Sequence, residues 1–236
     1  RITLQPLDKI PQRPFRWLWK DHLPSGKLSL LMGQPGTGKS FLACDLIARV
    51  TRGTDWPDGT KNERPPGRVL LISPRATAQN LLPRLSAAGA DLALVQHFNQ
   101  YAAIDPASGQ YGPKCWSLAD SEMIFSKVLE EAKGFDLIVV ETLDDYIGDG
   151  LSPQQQTQQL AKLEMLLDGY RSTMLCVTTA DKTRRSGTAW ERESAFSTVW
   201  GVTRDPFDRQ RRLLLPVRTE FSSDGEGLSF AIESTE

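Results

Sequence analysis

Apolar residues follow two alternating patterns along the chain. Short continuous apolar runs, typical of strands buried on both faces, alternate with longer stretches in which apolar residues recur every three or four positions, as on one face of a helix. This alternation predicts an α/β fold with a mostly parallel central sheet flanked by helices. The predicted strands are 27–32, 68–73, 93–98, 137–140 and 173–178, and the predicted helices are 41–50, 77–88, a helix capped by Ser117, and a helix from Ser152 to Gly169.

The last forty residues have a different pattern. Three apolar runs, at 197–202, 212–217 and 228–232, are joined by short turns, which predicts that the sheet ends in antiparallel strands. The stretch 51–67 is polar and rich in Gly and Pro, so we expect a surface loop there. Residues 101–114 show neither pattern, and we expect them to be irregular.

The composition narrows the class of protein. A chain of 236 residues with 39% apolar and 24% charged residues is typical of an ordinary globular protein. Its net charge of -1 argues against coating of nucleic acid by the whole surface. No apolar run approaches the roughly 20 residues of a membrane span, and the first ten residues carry no apolar signal core. We therefore expect a cytoplasmic protein with no membrane partner, and three widely spaced cysteines that match no zinc or disulfide framework.

The segment GQPGTGKS at 33–40 is the strongest chemical signal. It matches G-x-x-x-x-G-K-[ST] at every fixed position, and it lies between a predicted strand and a predicted helix. Glycines in such a loop let the backbone curl around phosphate groups, and the start of the helix adds the positive end of its dipole. The lysine is predicted to reach the β- and γ-phosphates of ATP, and the serine hydroxyl to ligate Mg²⁺. The predicted nucleotide-binding residues are Gly33, Gln34, Pro35, Gly36, Thr37, Gly38, Lys39, Ser40 and Phe41.

A nucleoside triphosphatase also needs an acidic side chain near the magnesium, at the end of a neighbouring buried strand. Glu141 directly follows the apolar run 137–140, so it is predicted to lie at the carboxyl end of that strand, where ligands of open α/β sheets collect. Ser40 and Glu141 are the predicted metal ligands, either directly or, for the long Glu141 side chain, through water. Asp144 and Asp145 are the alternatives to Glu141.

The segment GKLSLLMGQPGTGKSFLACDLIARVTRGTDWPDG at 26–59 resembles the start of the RecA-like P-loop ATPases of the RepA-like group, the plasmid replicative helicases, which are related to the DnaB and KaiC families. Residues 17–26 fit that group's entry segment, and PRLSAAGADLALV at 83–95 is similar to its next helix and turn. The resemblance implies a RecA-like fold, with 1–24 as an N-terminal entry segment and 25–236 as the ATP-binding domain. It also implies ATP and Mg²⁺ between the subunits of a homo-oligomer, often a ring hexamer, that works on single-stranded DNA.

Two positions depart from that family's pattern. The catalytic Glu that usually follows the second strand is replaced by Arg75, which stays protonated and cannot act as a general base. The usual His or Gln that senses the γ-phosphate is replaced by Thr179 or Ala180. General-base assistance typically contributes about 10²–10⁴-fold, so we expect slow or absent hydrolysis.

The predicted roles of Arg218 and of the basic residues at 182–185 are implied only by the resemblance to the RepA-like group. Arg218 matches the family's late-strand Lys or Arg that reaches the γ-phosphate of the neighbouring subunit, which makes Lys39, Glu141 and Arg218 the predicted catalytic set; the alternative for Arg218 is a surface arginine. Three cations follow a buried strand where RecA-like rings often place a DNA-contacting loop, with a solvated loop as the alternative. They are Lys182, Arg184 and Arg185, and Arg204, Arg209, Arg211 and Arg212 add positive charge further along the chain.

The sequence leaves two main functions open. The first is a helicase-type ATPase in DNA replication or repair, with impaired hydrolysis. The second is a nucleotide-gated assembly or regulatory module that binds ATP without significant turnover. The entry segment and the late strands fit a third function, that of a small-molecule kinase, less well than they fit a ring ATPase.

Overall fold

The alternation of apolar runs and helical stretches produces a mixed sheet with helices on both faces. The computed structural model describes residues 4–9, 14–104, 109–147, 150–180, 193–221 and 226–233. The helices are α1 Lys39–Arg52, α2 Arg75–Ala87, α3 Ser121–Ala132 and α4 Pro153–Tyr170. The strands are β1 Trp17–Trp19, β2 Leu23–Pro24, β3 Leu28–Gly33, β4 Val69–Ile72, β5 Val95–Phe98, β6 Gln100–Ile104, β7 Tyr111–Cys115, β8 Leu137–Glu141, β9 Thr173–Thr179, β10 Thr198–Arg204, β11 Arg211–Thr219 and β12 Leu228–Ala231.

The main sheet has the strand order β12-β11-β10-β3-β9-β8-β4-β5. The six strands from β10 to β5 in this order pair in parallel, whereas β11 pairs antiparallel with both β10 and β12. The predicted fold class is therefore confirmed: the sheet is mostly parallel, and it ends in antiparallel strands. Because β9 lies between β3 and β8, the carboxyl ends of these three strands meet at one edge of the sheet, and the candidate site is built there.

Each face of the sheet is covered by a different pair of helices. In β8, Leu137 and Val139 pack in the cluster that contains the apolar residues of α1 and α2. Their neighbours Ile138 and Val140 pack in the cluster that contains those of α3 and α4. Burial on both faces explains why this strand is a continuous apolar run. The same alternation turns the next residue, Glu141, toward the α1 side.

One local prediction was wrong, and two predicted helices differ slightly in their bounds. Residues 101–104 and 111–114 are not irregular, because β6 and β7 pair there as an antiparallel ribbon outside the main sheet. Helix α2 begins at Arg75 and includes Pro83, since the buried Leu81 and Leu85 hold the helix against the core on both sides of the proline. Helix α4 continues past Gly169, and Arg171 takes the left-handed conformation (φ 55°) that ends it.

The entry segment is packed on the core through stacked rings. Trp19 stacks with Trp56 and with His22, with ring centroids 5.6 Å and 3.8 Å apart. His22 in turn stacks on Trp200 of β10 at 4.6 Å. All of these rings are buried, so residues 19–22 are fixed to the α1 side of the sheet. In the part of the chain that the structure describes, no helix is both long and apolar enough to span a membrane.

Candidate nucleotide-binding site

The loop Gly33–Ser40, called the phosphate loop below, connects β3 to α1. Gly38 has φ 102°, in the left-handed region that favours glycine, and a Cβ on this residue would lie 2.8 Å from Cδ1 of Ile232. A Cβ on Gly33 would lie 2.3 Å from the carbonyl oxygen of Val202 in β10. Gly33 is therefore required by the close approach of the β10 backbone, and Gly38 by its left-handed backbone beside Ile232.

Lys39 is folded back into the phosphate loop. Its Nζ donates hydrogen bonds to the carbonyl oxygens of Gly33 (2.8 Å) and Gln34 (3.0 Å), and the residue is only 8% exposed. Burial lowers the pKa of this amine, and the nearby carboxylates of Glu141 and Asp144 oppose that shift. An ammonium has three donors, so one N–H of Lys39 is left for a phosphate oxygen.

Ser40 and Glu141 meet across the site, as the sequence predicts for a metal-ligand pair. The Ser40 hydroxyl donates a hydrogen bond to Oε1 of Glu141, and Glu141 is 5% exposed. Burial raises the pKa of this carboxyl, while the Ser40 hydrogen bond and the positive charges of Lys39 and Arg84 lower it.

The second carboxylate oxygen of Glu141 has no hydrogen-bond partner among the described residues. A buried carboxylate oxygen without a partner is costly, because it has lost its hydration without gaining a protein contact. A Mg²⁺ ion beside Ser40 would supply that partner, since Mg²⁺ binds carboxylate and hydroxyl oxygens and keeps several waters. The residues present therefore fit the metal.

The two alternative acids have other local partners. Oδ2 of Asp144 accepts hydrogen bonds from the Thr178 hydroxyl (2.8 Å) and from the Thr179 backbone N–H (3.0 Å), which ties it to the end of β9. Asp145 accepts from the Thr142 hydroxyl and caps a single helical turn. Of the three acids, the structure thus brings Glu141 into contact with Ser40.

The positions expected to activate water carry no acid. Arg75 is the first residue of α2 and is exposed, and residues 73–87 contain neither Asp nor Glu. At the end of β9, the side chain of Gln34 donates a hydrogen bond to the carbonyl oxygen of Ala180. The backbone N–H of Thr179 is bonded to Asp144. The phosphate loop is therefore fixed to β9 where the family's sensor side chain would stand.

Two arginines at the site had no predicted role there. Arg84 of α2 lies over the ring of Phe41, 4.5 Å from its centroid, and its charge acts on Glu141. Arg204, one of the cations that follow the predicted DNA-contacting loop, donates from Nη2 to the carbonyl oxygen of Gly36 at 3.1 Å. No motif could have indicated these two arginines, because only the packing of α2 brings Arg84 beside Phe41 and only the position of β10 brings Arg204 to the loop.

Arg218 is not close to the phosphate loop of its own chain. It pairs with Val199, whereas the loop starts beside Val202, three residues or about 10 Å further along β10. Its guanidinium donates to the carbonyl oxygen of Ser194 (3.0 Å) and to Glu220 (2.6 Å). A role toward a neighbouring subunit stays a prediction. The predicted DNA-binding residues Lys182, Arg184 and Arg185 lie outside the described residues.

These features define the class of protein. A glycine-rich loop joins a buried strand to a helix, its lysine is folded inward, and its serine is bonded to a carboxylate at the end of a strand two places away in the sheet. This is the fold and the loop of a P-loop nucleoside triphosphatase with a RecA-like core.

The comparison with protein families names the group. A family model described as an AAA domain matches residues 4–185, which is more than half of the chain. The protein therefore belongs to this AAA domain family of P-loop ATPases. No match was found among curated proteins. The matched range ends before β10, so Arg204 and Arg218 lie outside it.

Proposed function

We propose that the protein binds ATP with Mg²⁺ at the phosphate loop and acts as a RepA-like, helicase-type ATPase in DNA replication or repair. The observation that carries the nucleotide part of the proposal is the meeting of Lys39, Ser40 and Glu141 at the carboxyl edge of the sheet. The resemblance of residues 26–59 to the RepA-like group supports the role on DNA.

Each residue of the site has a defined task in this proposal. The backbone N–H groups of the phosphate loop and the start of α1 bind the phosphate oxygens, and the free N–H of Lys39 binds the γ-phosphate. Ser40 and Glu141 would hold the Mg²⁺ ion, and Glu141 has a carboxylate oxygen without a hydrogen-bond partner among the described residues that is available to a metal. Bound Mg²⁺ neutralises charge on the β- and γ-phosphates, which favours both binding and phosphoryl transfer.

Hydrolysis is proposed to be slow. The position at which the family usually carries the water-activating Glu is occupied by Arg75. A guanidinium stays protonated and accepts no proton. Arg218 is proposed to reach the γ-phosphate of a neighbouring copy in a homo-oligomer such as a ring hexamer, with single-stranded DNA as the partner. An arginine in that place stabilises the charge that develops during phosphoryl transfer.

A second function is favoured by two observations. Helix α2 carries no acidic residue, and the end of β9 is bonded to the phosphate loop through Gln34. A site that holds ATP but lacks its base suits a nucleotide-gated assembly or regulatory module, in which ATP stabilises an interface between subunits.

One set of measurements separates the two functions. ATP affinity is measured by calorimetry, ATP turnover is measured with and without single-stranded DNA, and the mass in solution is measured with and without ATP. Turnover stimulated by DNA supports the helicase-type ATPase, and assembly driven by ATP without turnover supports the module. If wild-type protein binds no ATP in the presence of Mg²⁺, both proposals fail.

A further inference from the structure

Arg204 is placed at the phosphate loop by the alternation of side chains along β10. Trp200 and Val202 both pack in the cluster under α1, and Arg204 is the next residue on that face. Val202 is paired with Gly33, the first residue of the phosphate loop. Arg204 therefore extends past the end of the sheet on the side where the loop curls toward α1.

The guanidinium of Arg204 is bonded to the phosphate loop and has donors to spare. Nη2 donates to the carbonyl oxygen of Gly36 at 3.1 Å, and Gly36 has φ 73°. A guanidinium has five N–H donors, so one contact leaves most of them free. The side chain is exposed, and the structure pairs it with no carboxylate in the ranges it describes.

Two arginines of the neighbouring strand β11 are arranged differently. Arg211 is paired with Asp205 at 2.6 Å, and Arg218 is paired with Glu220 at 2.6 Å. These two guanidinium charges are compensated within the chain. Within the described ranges, no carboxylate pairs with Arg204, which lies at the rim of a loop whose glycines and lysine suit it for phosphate.

We propose that Arg204 is a phosphate-binding residue of the nucleotide site, acting within its own chain. Its guanidinium holds the Gly36 carbonyl with one N–H and binds a phosphate oxygen of the nucleotide with others. Guanidinium groups suit this task because their planar donors match phosphate oxygens, and hydrogen bonds between charged groups are about twice as strong as neutral ones. The inference rests on the proposed ATP binding and adds a cation to a site that lacks the usual sensor side chain.

Three substitutions separate this role from a purely structural one. In Arg204→Gln, the amide can still donate to the Gly36 carbonyl, but the charge is lost. Arg204→Lys keeps the charge and a donor, and Arg204→Ala removes both. Arg209→Gln is the matched control, because Arg209 is an exposed arginine of the turn between β10 and β11. ATP affinity is measured by calorimetry with Mg²⁺ at low and high salt, and thermal unfolding without nucleotide checks that each variant is folded.

The proposal predicts that Arg204→Gln and Arg204→Ala both weaken ATP binding by about tenfold or more, as expected for the loss of one charged contact. Arg204→Lys recovers part of the affinity, the difference from wild type shrinks at high salt, and Arg209→Gln binds as wild type does. If Arg204→Gln binds ATP as tightly as wild type, Arg204 at most clamps Gly36 and the proposal is overturned. Wild-type protein that binds no ATP would instead overturn the proposed function on which this inference rests.

Discussion

Two parts of the candidate site differ in how completely they are built. The binding half consists of the phosphate loop and Glu141, and it has an inward-folded lysine, a Ser40–Glu141 contact and glycines that the packing requires. The hydrolytic half consists of Arg75 and the end of β9 at Thr179 and Ala180. It has no carboxylate at the start of α2, and its strand end is bonded to the loop and to Asp144.

The difference teaches that the groups proposed for nucleotide binding and those proposed for hydrolysis come from separate elements of this fold. Binding needs a loop conformation and fixed charges, which β3, α1 and β8 supply. Hydrolysis also needs a group that can accept or orient a proton of water, and this group comes from other elements. One half can therefore be altered while the other keeps its geometry.

The largest effect is expected on ATP affinity, from a change in the binding half of the site. Lys39→Ala removes the ammonium that closes the loop on Gly33 and Gln34, and with it the charge that faces the β- and γ-phosphates. We expect ATP binding to be abolished, with affinity weaker by about 100-fold or more, since a charged contact in a buried site is lost. Calorimetry measures this, with Lys61→Ala as control because Lys61 pairs with Asp55 on the surface. Unchanged affinity in Lys39→Ala would refute the assignment of the loop.

The next largest effect is expected on the rate of ATP turnover, which the hydrolytic half of the site determines. Wild-type turnover is expected to stay below about 1 s⁻¹ per subunit, the usual lower range for enzymes. Arg75→Glu places a carboxylate at the start of α2 and is expected to raise turnover by about tenfold or more, toward what general bases contribute. Steady-state phosphate release measures both rates.

The control for that experiment is Gln79→Glu, which adds an acid to an exposed position one turn further along the same helix. Its turnover is expected to match that of wild type. Equal rates in Arg75→Glu and wild type would mean that the missing acid does not limit the reaction.

A smaller effect, on stability and on ATP affinity, tests whether the conformation of the phosphate loop at Gly38 matters for binding. Gly38→Ala introduces a Cβ at φ 102° that meets Ile232 at 2.8 Å, whereas Gly59→Ala introduces one at φ 79° in open space. Both changes are expected to cost about 1–2 kcal/mol of stability from the left-handed backbone. Only Gly38→Ala is expected to weaken ATP binding as well. Urea unfolding and calorimetry measure the two properties, and equal ATP affinities would show that the contact with Ile232 has no part in shaping the loop.

The smallest expected effect is on the pH dependence of stability. It arises outside both halves of the site, in the aromatic stack of Trp19, Trp56, His22 and Trp200. Burial lowers the pKa of His22 below its ordinary 6.5, although the Lys20 carbonyl, Asp58 and Asp21 oppose the shift. The unfolded chain therefore binds more protons, so this contribution to stability is complete above pH 6.5 and is lost as the pH falls below it. Urea unfolding between pH 7.5 and 5.5 is expected to show a shallower pH dependence in His22→Gln. If the free energy of unfolding of wild type and of His22→Gln changes equally with pH, the lowered pKa of His22 contributes nothing to stability and the prediction is wrong.

The binding half was largely predictable from the sequence, because its signals are local. The motif at 33–40 specifies its own loop, and the continuous run 137–140 places Glu141 at the end of a central strand. The sequence also indicated the antiparallel end of the sheet. It did not indicate the β6–β7 ribbon, which lies outside the main sheet and whose second strand contains Gly112 and Pro113. Nor could it place Arg84 and Arg204, since Arg84 comes beside Phe41, and Arg204 reaches the phosphate loop, only through the packing of α2 and β10.

The most direct test of the account is a crystal structure grown with Mg²⁺ and a non-hydrolysable ATP analogue. The account predicts the triphosphate in the phosphate loop, with Lys39 on the γ-phosphate, Ser40 and Glu141 at the metal, and no carboxylate of α2 beside the γ-phosphate. An analogue bound elsewhere, or a phosphate loop left empty at saturating analogue, would contradict it.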